Sequence, residues 1–144
     1  MTIRSMVGAL GIVVLASSCG DDNGFTPRPE SVAGPYYGST FRVTQNGITA
    51  DILALGGSID INLASDGLVT GHLFVPNGEE GGGDLDLDLG GTWELNGTVV
   101  TFDMPNVNTF VRDMPFTVAT NTLTGDRTFS QARIQLVLTK RPTA

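Results

Sequence analysis

The chain is 144 residues long, carries a formal net charge of −7, and uses 19 glycines but only 16% charged residues. That length suits one domain with a core of its own. An acidic chain lacks the concentrated basic face that nucleic acid requires. One Cys excludes an intramolecular disulfide, and one His excludes multi-histidine metal sites, leaving all-oxygen coordination open. Abundant Gly with sparse charge points to many short strands joined by tight turns.

Residues 1–18 hold one early positive charge, Arg4, then an apolar run from Val7 to Ala16, then Ser17 and Ser18. Ten apolar residues are too few to span a bilayer of ~30 Å as a helix but suit a signal-peptide core. The sole Cys, Cys19, follows directly. Leu15-Ala16-Ser17-Ser18-Cys19 resembles the lipobox of bacterial lipoproteins, with Ala16 at the place usually held by Leu. The resemblance implies that the mature chain starts at a Cys19 carrying acyl chains such as palmitate and is held to the membrane through them, two chains being enough for a stable anchor. In that family an Asp after the Cys favours the inner membrane, so Gly20 implies the outer membrane. The plainer alternative is an ordinary secretory signal cleaved near Ala16 or Ser18. Residues 19–35 are polar, rich in Gly and Pro, and without periodicity, which predicts a flexible tether.

The domain expected over 36–141 reads as hairpins sharing one apolar face. A strand from Tyr37 to Gln45 turns at Asn46-Gly47 into Ile48–Leu55, pairing Val43 with Ala50 and Phe41 with Ile52, and setting Arg42 against Asp51 as an exposed ion pair. Gly56-Gly57 is the next two-residue turn, expected to place Ile52 opposite Ile61 and Ala50 opposite Leu63. At Ser65-Asp66-Gly67 a two-residue loop would mix the faces. A three-residue loop with Gly67 left-handed pairs Leu63 with Val69, Ile61 with Gly71 and Ile59 with Leu73, and is preferred.

Asn77–Gly83 is an acidic, Gly-rich loop. Beyond it Leu85, Leu87, Leu89, Gly91, Trp93 and Leu95 alternate with polar or Gly positions, and Asn96-Gly97 follows. A two-residue loop there pairs Trp93 with Val100, Gly91 with Phe102 and Leu89 with Met104, with the Phe102 ring covering the bare Gly91 backbone. Further strands are predicted at Phe110–Ala119, Thr122–Thr128 and Ala132–Lys140, and no stretch makes a convincing amphipathic helix.

Nine strands in a meander conflict with antiparallel closure, which needs an even number. Either one is not a stave or the first and last meet in parallel. The expected fold is all-β: a small antiparallel up-and-down barrel of eight to ten strands, because closure hides the edges of so continuous a sheet. A sandwich is the alternative. Gly34-Pro35-Tyr36 before the first strand, the repeated short hairpins, Gly90–Trp93 and the terminal Arg133–Leu138 strand resemble bacterial lipocalin-like lipoproteins over most of residues 34–141. The resemblance implies a barrel that binds or carries a small apolar molecule. True lipocalins carry Gly-X-Trp near the first strand, where this chain has Tyr.

An apolar guest inside the barrel would be lined by Phe41, Ile52, Ile61, Gly71, Leu73, Leu87, Gly91, Trp93, Phe102, Phe116 and Leu136, with Gly71, Gly91 and Ala50 leaving room. A fully packed core is the alternative for the same residues. Glu79, Glu80, Asp84, Asp86 and Asp88 form an acidic cluster, but Asp84, Asp86 and Asp88 stand ~7 Å apart along a strand, too spread for one ion. No metal and no cofactor is expected. His72 lies on the outer face without a nucleophile motif, and carboxylates pointing outward find no apolar pocket to raise a pKa, so no enzyme is expected. The expected role is a lipid-anchored binder of a small apolar molecule. The competing role is an envelope module that contacts an unidentified protein.

Overall fold

The computed structural model describes residues 25–142 except Glu80, Asn108 and Gln131. The signal segment, Cys19 and the first part of the expected tether lie outside the described residues. A short helix, α1 (Pro29–Val32), precedes nine strands: β1 (Gly34–Gln45), β2 (Ile48–Asp51), β3 (Ser58–Leu63), β4 (Leu68–Val75), β5 (Leu85–Asn96), β6 (Val99–Asp103), β7 (Phe116–Val118), β8 (Thr122–Phe129) and β9 (Ala132–Lys140).

The fold is a closed, eight-stranded antiparallel barrel, and the ninth strand is the exception. β9 pairs with β1 along its whole length, with a bulge between Gly38 and Thr40. On its other side β1 is shared. Its first half pairs with β3, Tyr36 opposite Ile61, and its second half pairs with β2, Val43 opposite Ala50. β2 is therefore a flap on β1, and the parity conflict resolves with an antiparallel β1–β9 seam.

The hairpin expected at Gly56-Gly57 does not form, and β2 does not pair with β3. The Asp51 carboxylate accepts from the Ala54 amide (3.3 Å), and the Leu55 amide donates back to Asp51 O and Ile52 O (3.2 Å each), winding 52–57 into a tight turn. That use of Asp51 also replaces the ion pair expected with Arg42, though the two residues do stand opposite each other. A continued β2–β3 ladder would have made nine staves and forced β1 and β9 to meet in parallel.

The other turns show what fixes register. Asn46 and Gly47 both take positive φ (54° and 77°), as a two-residue type I′ loop demands. At Ser65–Gly67 the bulged loop forms as expected: Gly67 has φ 97°, and Leu63 pairs with Val69, Ile61 with Gly71 and Ile59 with Leu73. β5 and β6 pair two residues out from the expected register. The loop is Gly97-Thr98, Gly97 has φ 64°, and Trp93 faces Phe102. A two-residue shift leaves every side chain on its own face, so the apolar pattern is blind to it. Phe102 accordingly packs edge-on against Phe116 (centroids 5.5 Å apart) rather than over Gly91.

The long strand expected from Phe110 to Ala119 shortens to Phe116–Val118. Pro105 and Pro115 bracket the segment before it. Its backbone turns on itself through bonds such as Arg112 N–H to Thr109 O (3.2 Å). Val111 and Met114 are completely buried in the core. Gly125 makes that possible on β8, since a Cβ there would lie 2.3 Å from the Met114 sulfur.

Gly71 and Gly91 do not leave room in the barrel. A Cβ on Gly71 would sit 2.2 Å from the Asp60 carbonyl oxygen, and one on Gly91 2.0 Å from that of Asp103. Each glycine admits a neighbouring backbone. Gly71→Ala must displace backbone and should lower stability in urea unfolding by about 1–3 kcal/mol. Gly90→Ala, whose Cβ meets nothing within 4 Å, should stay within about 1 kcal/mol of the parent.

Candidate functional site

The two ends of the barrel are finished differently. One end gathers the turns after β3, β5 and β7 together with α1. Val32 is buried, the Tyr36 hydroxyl donates to its carbonyl (2.6 Å), and Lys140 Nζ donates to Ser31 O (2.7 Å). Arg28 N–H and Ser31 Oγ close the helix start (3.0 Å). The expected tether thus becomes part of the domain by Arg28. Trp93 completes this end, its indole Nε1 donating to Ala64 O (2.8 Å).

The opposite end is open. There the β1–β2 hairpin, the 52–57 turn, the loop from Pro76 and the segment carrying Phe110 surround a cleft of about 620 Å³. Its floor is Phe41, Ile52, Val75 and Ile134, all buried. Phe110 leans on the Phe41 ring at 5.7 Å and 50°. Val43, Ala50 and Leu85 form the walls, and Gln45, Asn46 and Asn77 bring carboxamides to the lining. Two large apolar side chains of the lining stand in solvent, Ile48 at 74% exposure and Leu55 at 61%. Among the described residues no lining side chain is charged.

Of the eleven residues expected to contact a guest, the structure brings Phe41 and Ile52 to this cleft. Ile61, Leu73, Phe116 and Leu136 are buried in the packed interior, as are Trp93 and Phe102. Leu87 is half-buried against the same core. Gly71 and Gly91 are points of backbone approach. The residues missed are Ile48, Leu55, Val75, Phe110 and the rim amides. The alternation Ile48, Ala50, Ile52 continues the inner face of the hairpin beyond the staves, which is the signal that could have found the lip.

Two charged pairs flank this end of the barrel. Arg133 grips Asp126 through Nε and Nη2 (2.9 and 2.7 Å), and that hydrogen bonding holds the Asp126 carboxyl below its ordinary pKa. Arg112 holds Asp113 in the same way (2.9 Å for both contacts), with the same effect. The acidic strand is dispersed: Asp84 accepts from the Asn77 amide (2.9 Å) and Asp86 pairs with His72 Nε2 (2.5 Å) on the exposed outer face. Among the described residues no three His, Cys, Asp or Glu side chains come together as a metal site. Nor is any helix among them long and apolar enough to cross a membrane, a statement that does not bear on strands.

Comparison with known proteins finds no matching family model, no matching curated protein and no matching solved structure. The cleft must therefore be read from its own chemistry.

Burial pushes the Tyr36 phenol up to about 12 from 10.0. The folded state holds the proton more tightly than the unfolded chain, so this stabilisation is complete below pH 10 and fades as pH rises through about 12. It amounts to roughly 2–3 kcal/mol at about 1.4 kcal/mol per pKa unit. Tyr36→Phe should cost about 1–2 kcal/mol at neutral pH, because the Val32 carbonyl loses its donor. Urea titrations of the two proteins should converge above pH 10 as the parent alone loses stability.

Proposed function

We propose that this protein is a lipid-anchored envelope protein whose barrel binds a small apolar molecule in the cleft at its open end, not in the barrel axis. The observation that carries this reading is the cleft itself: about 620 Å³, floored by buried aromatic and aliphatic side chains and rimmed by carboxamides. Small-molecule sites have this make-up, an apolar lining with a few polar groups, at roughly 300–1,000 Å³. The barrel supplies a rigid frame and the loops supply the site. The lining among the described residues is apolar side chains and carboxamides, a composition that favours binding or carriage.

The anchor rests on the apolar segment before Cys19 and the lipobox-like Leu15–Cys19. α1 packs at the closed end, and the nine residues from Cys19 to Arg28 reach at most roughly 30 Å. A lipid on Cys19 would therefore hold the domain from its closed end, the end opposite the cleft. In cells fed labelled palmitate, the parent should take up label and sediment with membranes. Cys19→Ala should do neither, and a Cys19→Ala protein that still sediments would remove the anchor.

Binding is tested with a neutral fluorescent apolar probe on the full-length protein. Fluorescence should rise saturably. Ala50→Trp, which fills the cleft wall at a half-buried position, should weaken binding at least about tenfold without loss of fold, as a filled pocket must. Native mass spectrometry of protein taken without detergent from its own envelope should show an extra mass that leaves on denaturation. A bare mass with no probe response would sink the binder. The exposed Ile48 and Leu55 favour, in that event, a protein partner closing over the lip, which crosslinking lost on Ile48→Ser would reveal.

A further inference from the structure

We infer that the cleft selects an electrically neutral amphiphile, an apolar body ending in a hydroxyl or amide, over the carboxylate of the same chain. This rests on the binding reading above and names its ligand class. A guest buried against Phe41 and Ile134 leaves its polar end at the rim, where Gln45, Asn46 and Asn77 offer carboxamides. Each carboxamide both donates and accepts, matching a hydroxyl or amide that does the same.

A carboxylate finds no comparable partner. It accepts only, and it needs a cation or several convergent N–H groups to offset its lost hydration. Among the described residues the lining has no charged side chain. Arg112 and Arg133 are gripped by Asp113 and Asp126 in two-point contacts. Arg127 donates to the Asp113 carbonyl and lies over the Phe129 ring, and Arg42, between the lining residues Phe41 and Val43, is exposed on the other face of β1. Where the Asn77 backbone meets the cleft, the nearest charge is negative, since Asp84 Oδ1 accepts its N–H at 2.9 Å. Field and hydrogen-bond inventory thus both disfavour an anion at the rim.

The test uses the full-length protein, the neutral fluorescent probe and two competitors of equal chain length, dodecanol and dodecanoate, at neutral pH and below micelle formation. Dodecanol should displace the probe at a concentration about tenfold or more below dodecanoate, the margin expected when one head group buries a charge without a partner. Gln45→Lys should raise the affinity of dodecanoate severalfold and so narrow or reverse the preference for dodecanol. Equal displacement, preference for the carboxylate, or a bound probe that neither competitor removes would overturn the ligand class while leaving the binder standing. A probe that does not bind at all would instead remove the binding reading on which this one rests.

Discussion

Everything in this fold depends on closing the sheet. An open nine-stranded meander would leave two rows of unpaired N–H and C=O groups, a template for association with other chains. β1 closes the barrel by pairing with β3 on one side and along β9 on the other, and where it leaves β3 it takes up the short β2, which keeps a free outer edge. The exchange needs a bend, and the bulge beside Gly38 provides it: a Cβ there would lie 2.5 Å from Ile59 Cγ2. Once β1 has turned from β3 to β2, the hairpin rises as a flap and its inward residues no longer face another stave. The open cleft follows from the closure.

The same constraint explains why the interior is filled. An eight-stranded barrel is only just wide enough to be filled by its own side chains. Here Leu73, Val100, Phe116, Leu123, Leu136 and Leu138 are fully buried, and Val111 and Met114 enter from the segment before β7. That segment takes core volume that would otherwise have to be supplied by the short β7. Its Phe110 stops at the surface of the core and leans on Phe41, so the filling of the interior and the floor of the cleft are made by one stretch of chain.

The legible parts of this structure were those where turn chemistry and alternation agreed. Asn46-Gly47 and the bulge at Gly67 set register because a one-residue error at either would have turned apolar side chains outward. The β5–β6 shift was invisible because two registers satisfy the same alternation, and only the choice of Gly97-Thr98 over Asn96-Gly97 separates them. Gly56-Gly57 misled for a different reason. A local hairpin signal competed with the global need for even closure, and Asp51 supplied the alternative turn. The inner face was readable as a face, but whether Ile61 or Ile48 meets solvent depends on where the staves end, and alternation carries no information about that. The glycines were ambiguous in principle, since a missing side chain can admit either a ligand or a neighbouring backbone. At Gly71 and Gly91 it admits backbone.

The two ends divide the work in a way that constrains any account of the protein. At the closed end the polar groups are turned inward onto the chain's own arm: Tyr36 and Lys140 satisfy carbonyls of the α1 turn, and Trp93 satisfies Ala64. At the open end Ile48 and Leu55 are left in water, with nothing among the described residues to cover them. Isolated exposed apolar residues are ordinary on protein surfaces, but these two stand on either side of the same apolar hollow. A guest seated there would bury both. If Cys19 is the anchor, its tether enters the domain through α1, at the end opposite this hollow, so anchoring and the apolar mouth make separate demands on the fold.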